Sequence, residues 1–174
     1  CEVGRANALE QRDRCDICEP GTYASKNSST ACTFCLKGFY QNQFEQSSCL
    51  ACASGTFSAL DKQASCDKCP AGRFSTFNAS GTVSCQACAK GRFQALPGES
   101  ECNDCLAGTF IAITGATSCD LCEPGTATAV NGSETCPDCL KGSYQDGFGE
   151  FVCKNCDRGR FVAVGGAALC VLCD

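Results

Sequence analysis

The chain has 174 residues and a net charge of −5; 21 residues are cysteine, while Met, Trp and His are absent. Cysteine at that density belongs to disulfide scaffolds of secreted proteins, and a chain without histidine lacks the commonest general base and the commonest neutral metal ligand. With 14 basic against 19 acidic residues, and no apolar run approaching the roughly 18 residues of a membrane span, the sequence argues against nucleic acid, an anionic membrane surface and a membrane helix.

In chain order, a lone Cys1 is followed by Cys-x-x-Cys pairs that begin at Cys15, Cys32, Cys49, Cys66, Cys85, Cys102, Cys119, Cys136, Cys153 and Cys170. Successive pairs start 17 residues apart, except Cys66 to Cys85, which is 19. Three residues after the second Cys of each pair stands a glycine, from Gly21 to Gly159, and Gly4 bears the same relation to Cys1. Two residues further comes an aromatic: Tyr23, Tyr40, Phe57, Phe74, Phe93, Phe110, Tyr144 and Phe161, with Ala6 and Ala127 as exceptions. A second glycine precedes the next pair by four residues in the later repeats: Gly81, Gly98, Gly115, Gly132, Gly149 and Gly166. A fixed short period marks a tandem array whose repeats contact mainly their neighbours. The glycine permits a turn with positive φ. The aromatic sits in a short extended piece, its ring covering a neighbouring disulfide. Helical periodicity is absent. The expected fold class is small, disulfide-rich and mainly β or irregular: an elongated rod of ~17-residue single-disulfide repeats.

The gap from Cys1 to Cys15 equals that from Cys18 to Cys32, so the simplest pairing joins the second Cys of one pair to the first of the next. That scheme gives Cys1–Cys15, Cys18–Cys32, Cys35–Cys49, Cys52–Cys66, Cys69–Cys85, Cys88–Cys102, Cys105–Cys119, Cys122–Cys136, Cys139–Cys153 and Cys156–Cys170, with Cys173 left over. A crossed pattern linking first Cys to first Cys is the main rival, and spacing alone does not decide between them. Each bond would close a loop of roughly 15 residues, worth about 3 kcal/mol on the chain-entropy model. Two Cys-x-x-Cys pairs also match a four-cysteine zinc site. Paired zinc ligands would make the intervals alternate, however, and they do not. No metal or cofactor is therefore expected. No catalytic residues are expected either: Asp13, Asp61 and Glu150 are scattered over variable loops and read as solvated surface.

Three sequons, at Asn27, Asn78 and Asn131, stand nine residues after Cys18, Cys69 and Cys122, in every third repeat. A shared slot favours N-linked glycans on a chain of the secretory pathway. The factor of three recurs in Lys37, Lys90 and Lys141, in Gln41, Gln94 and Gln145, and in the apolar runs Ser58-Ala59-Leu60, Ile111-Ala112-Ile113 and Val162-Ala163-Val164, with Asn7-Ala8-Leu9 matching in the first repeat. Residues 18–68 laid on 122–172 without gaps give 22 identities in 51 positions. The organisation is thus a partial repeat at 1–17 and three-repeat cassettes at 18–68, 69–121 (with a two-residue insertion) and 122–172. The start of a further repeat lies at 173–174, and both ends are expected to be cuts through a longer chain. Equivalent repeats facing one side would put sugars, Lys/Gln and apolar residues on three separate faces.

Cys18-Glu-Pro-Gly-Thr-Tyr23 and Cys122-Glu-Pro-Gly-Thr126, with the Cys-x-x-Cys pairs that follow, resemble ephrin-receptor-like cysteine-rich repeats and the single-disulfide module of tumour-necrosis-factor receptors. The resemblance implies a ladder of short strands and the intra-repeat disulfide scheme. Such repeats occur in receptors, adhesion proteins and large surface proteins, among them the mastigoneme proteins of flagellar hairs. Ten similar repeats in a row point toward an extracellular structural role at a cell surface, with copies of the chain or another filament protein as partners. A receptor or adhesion ectodomain is the alternative, and an idiosyncratic loop would be its mark.

Overall fold

The computed structural model describes residues 1–7 and 14–173; Ala8, Leu9, Asp13 and Asp174 lie outside the described residues. Among those described there is no helix, only eighteen two-residue strands. Ten disulfides join Cys1–Cys15, Cys18–Cys32, Cys35–Cys49, Cys52–Cys66, Cys69–Cys85, Cys88–Cys102, Cys105–Cys119, Cys122–Cys136, Cys139–Cys153 and Cys156–Cys170. Cys173 is an exposed free thiol. The chain forms two compact bodies: residues 1–86 with 97–101, and residues 87–96 with 102–174.

Each repeat is a disulfide-closed hairpin. It begins with a tight turn, as in Glu19-Pro20-Gly21-Thr22, where Thr22 N–H returns to Glu19 O at 3.0 Å and Gly21 has φ +81°. Proline at the second position and a positive-φ glycine at the third are the requirements of a type II turn. The Thr22 hydroxyl donates to the same Glu19 carbonyl at 2.7 Å, and Thr56, Thr109, Thr126 and Ser143 do likewise in their repeats. The chain then pairs antiparallel with the residues inside the next Cys-x-x-Cys: Tyr23 faces Thr33, Phe57 faces Asp67, Phe110 faces Asp120. The repeat holding Ala127 keeps only an isolated bridge, Thr126 to Asp138. Pro137 sits inside that Cys-x-x-Cys and has no N–H to give the ladder.

Neighbouring repeats are joined through the turn glycine and the variable loop. Gly108 N–H donates to Thr128 O of the next repeat at 2.7 Å, and Gly108 O accepts from Cys122 N at 2.9 Å. The loop of the next repeat folds back, so that Gly132 N–H reaches Cys105 O at 2.7 Å. The same three bonds start from Gly4, Gly21, Gly38, Gly91, Gly125 and Gly142, with Ser28, Glu45 and Lys62 as the loop donors for the first three. The donor slot in each loop has positive φ. It is glycine from Gly98 onward but Ser28, Glu45 and Lys62 in the earlier repeats; Gly81, at the same place, keeps positive φ but gives its N–H to Asn78 O in its own loop. The glycines also meet a repeat two further on: a Cβ on Gly108 would lie 2.0 Å from Gly149 O, and one on Gly4 would lie 2.1 Å from Glu45 O.

The core is narrow. It consists of the second cysteine of each pair, from Cys18 to Cys139, and the residue that follows the aromatic: Ala24, Gln41, Ser58, Ser75, Gln94, Ile111, Thr128 and Gln145 are all buried. The aromatics themselves are half-buried for the most part. Phe93 packs on the cluster of Cys105, Ile111 and Ala116, with Cys119 beside it, and so lies against the next repeat's disulfide.

Two substitutions separate the turn from the interlock. Gly108→Ala and Gly142→Ala both force an L-residue into the left-handed region, a cost of about 1–2 kcal/mol. Only at Gly108 must backbone also move, since nothing lies within 4 Å of a Cβ on Gly142. Gly108→Ala is expected to exceed Gly142→Ala by about 1–3 kcal/mol. Because a repeat array need not unfold in one step, the readout is native-state hydrogen exchange at Gly149 N, which should be deprotected by Gly108→Ala alone.

Candidate functional site

The residues that set this fold apart lie in three places: the buried slot after the aromatic, the loop tips and the outer apolar positions. Gln145 is the largest fully buried side chain, at 0% exposure. Its Nε2 donates to Val152 O at 2.6 Å, and its Oε1 accepts from Gly147 N at 3.1 Å. Gln41 spans its own loop in the same way, from Ser48 O to Gln43 N, and Gln94 Oε1 accepts from Leu96 N. The glutamines thus brace loops from inside and form no outer face. Lys37, Lys90 and Lys141, their companions in the sequence, are exposed.

Asn27, Asn78 and Asn131 are all exposed. Their surroundings differ. Asn131 Oδ1 accepts from Ala107 N in the preceding repeat at 2.9 Å, a bond made in the corresponding place by Asp61 to Lys37 N. Asn78 instead accepts from Ser80 N within its own loop, and its carbonyl takes Gly81 N–H. The two inserted residues fall between Asn78 and the loop tip, so the slot counted from Cys69 no longer coincides with the slot counted back from Cys85. At Asn131 the amide oxygen is engaged in this bond while the residue as a whole stays exposed.

The apolar residues Leu60, Ile113 and Val164 are each about two-thirds exposed, and so are Phe77, Leu96 and Val130 at the same place in intervening repeats. This outer apolar position is therefore not confined to every third repeat. Ala95 and Ala129 precede Leu96 and Val130 just as Ala59, Ala112 and Ala163 precede Leu60, Ile113 and Val164. The exposed ion pair Asp146–Lys154, at 2.5 Å, ties a loop to a strand. The Lys154 hydrogen bond holds the Asp146 carboxyl below its ordinary value, and Asp146 raises Lys154 in turn. Its contribution is present at neutral pH. It fades as pH falls through the depressed carboxyl value or rises through the elevated ammonium value. Arg5 bridges two repeats onward to Glu45.

Gly+1, the residue after the turn glycine, is Thr or Ser, whose hydroxyl braces the turn, or Arg: Arg73 reaches Cys85 O at 3.0 Å, and Arg92 pairs with Asp104 at 2.6 Å. Phe39 alone breaks this rule. With Tyr23, Phe34 and Leu36 it lines a shallow apolar cleft of about 240 Å³. Nothing in the period of the sequence marks this cleft; it emerges only when the hairpins bring positions 23, 34, 36 and 39 together.

Single-disulfide hairpins interlocked through glycine define the class of tandem cysteine-rich repeats found in ectodomains. The family model described as tyrosine-protein kinase ephrin type A/B receptor-like matches three stretches, 21–59, 45–80 and 75–122, which together span more than half of the chain. The chain belongs to this ephrin-receptor-like family. No curated protein matches it. No helix among the described residues is long and apolar enough to cross a membrane.

A buried glutamine that satisfies two backbone groups is hard to replace. Gln145→Leu keeps most of the volume but strands Val152 O and Gly147 N, and should cost about 2 kcal/mol. Hydrogen exchange at Gly147 N is expected to accelerate well beyond that in the repeats of the other body.

Proposed function

We propose that the chain is an extracellular structural spacer, a glycosylated, disulfide-stapled array that forms or lines a surface filament and catalyses nothing. The observation that carries this reading is the interlock at the turn glycine, where one residue meets the next repeat through hydrogen bonds and the repeat after it through bare van der Waals contact. Contacts that reach two repeats ahead resist bending at any single junction, which is what a spacer requires. The position of Asn27, Asn78 and Asn131 on the surface is compatible with sugars that keep such an array solvated. Flagellar-hair proteins, whose repeats this sequence resembles, are the kind of filament such an array would suit.

The disulfides also set how far the array can be drawn out. In the oxidised chain the covalent path bypasses every loop. It runs through three residues of a Cys-x-x-Cys and one bridge of 5.5 to 5.8 Å between Cα atoms. That is about 16 Å per repeat, against about 60 Å for 17 extended residues after reduction.

The alternative is a receptor or adhesion ectodomain, and the cleft at Phe34 and Phe39 is the observation that favours it, since it interrupts an otherwise uniform pattern.

Single-molecule pulling of the chain, before and after reduction, tests the spacer reading. The oxidised chain is expected to stay stiff at low force and to reach a contour near 16 Å per repeat; reduction should lengthen it nearly fourfold. An oxidised chain that stretches from the outset as a loose string of ~16 Å links would refute the spacer. Glycopeptide mapping of material secreted by a eukaryotic cell should find N-glycans on Asn27, Asn78 and Asn131; three bare asparagines would remove the sugars from the account.

A further inference from the structure

The cleft lined by Tyr23, Phe34, Leu36 and Phe39 is an apolar concavity on a largely repetitive surface, and two of its walls are open to solvent, Phe34 at 54% and Leu36 at 67% exposure. Other repeats place Asp, Lys, Asn, Ala, Leu or Ile at the position of Phe34 and Glu, Ala, Pro, Leu or Asp at that of Leu36. The fold therefore does not need large apolar groups at these sites. The rim carries two lysines against one carboxylate: Lys62 Nζ stands 5.4 Å from the Phe34 ring centre, Lys37 follows Leu36 in the chain, and the Asp61 carboxylate accepts the Lys37 backbone N–H. A cleft of this size accepts one ring, and its rim selects a ring flanked by a carboxylate.

The chain itself supplies one. The loop Phe148-Gly149-Glu150-Phe151 exposes two phenylalanines, at 65% and 57%, around a glutamate. The remaining exposed phenylalanines outside the cleft fit less well. Phe77 lies beside the sequon asparagine and has no acid next to it, Phe161 stands between Arg160 and Val162, and the neighbour of Phe44 is Glu45, already bridged to Arg5.

We infer that the 148–151 loop of a second copy docks its ring in the Phe34/Phe39 cleft, with Glu150 against Lys37 and Lys62. The contact is heterologous, joining different surfaces of the two copies, and such a contact propagates into open assemblies unless the rotation closes it. The inference rests on the spacer reading and gives it a longitudinal or lateral joint.

Sibling repeats provide test variants that preserve the fold. Phe34→Asp with Leu36→Glu copies residues found at 104 and 123 and disables the cleft; Phe148→Thr with Phe151→Ser copies those at 114 and 100 and disables the loop. In sedimentation velocity at up to about 1 mM, a range that detects weak docking, the native chain should form a series of oligomers. Each double variant alone should be monomeric, and an equimolar mixture should yield heterodimers and nothing larger. A native chain that stays monomeric overturns the inference. So does a cleft variant that assembles as well as the native chain, or a loop variant that does so, since the first removes the site and the second the occupant. None of these failures bears on stiffness under load, so the spacer reading stands or falls separately in the pulling experiment.

Discussion

Everything in this chain depends on the absence of one methyl group. At the turn glycine the backbone must take positive φ, give its N–H to the next repeat, accept an N–H from that repeat's first cysteine, and let the carbonyl of a more distant loop come to within contact of its Cα. Any side chain would break the last of these even where it could tolerate the first. A 17-residue segment has too little apolar area to fold alone. The disulfide lowers the entropy of each loop, and the glycine lets the closed loops approach closely enough to share backbone hydrogen bonds.

The fold class is legible because cysteine, glycine and the aromatic recur at fixed distances, and each of those residue types has a narrow structural meaning. Short strands, turns and one disulfide per repeat follow from that. The true core was not legible. The slot after the aromatic is filled by Ala24, Gln41, Ser58, Ile111 and Thr128, which share no hydropathy; they share only a place inside a closed loop. Glutamine there looked like surface, because its burial depends on loop carbonyls whose positions no pattern reveals. The loop-tip slot was half visible. Its glycines stand out from Gly81 onward, but Ser28, Glu45 and Lys62 occupy the same left-handed conformation under the disguise of ordinary polar residues. The cleft at Phe39 was invisible for a different reason: its four walls come from four different positions of the period, and periodicity passes over the residue that departs from it.

The distribution of apolar side chains fits this economy. Most large aliphatic residues, such as Leu106, Leu140 and Ile113, lie outside, and apart from Ile111 the described interior is given to cysteine and small or amide-bearing residues. Burial therefore supplies little of the stability, which comes from covalent loops and satisfied backbone groups. It follows that the surface is free to vary in character from repeat to repeat, as the sequons, lysines and the aromatic cleft do, without weakening the array.

The reach of the glycine contact has a consequence for heredity. Because the bonds that recur from repeat to repeat at the turn glycine join backbone groups, the complementary surfaces on either side of a repeat are much alike along the chain. Excising or duplicating one whole period brings together surfaces that already match. The length of such a molecule is then a quantity that unequal recombination can change in steps, while any gain or loss that is not a whole period is confined to the loops, where the two residues after Asn78 are found.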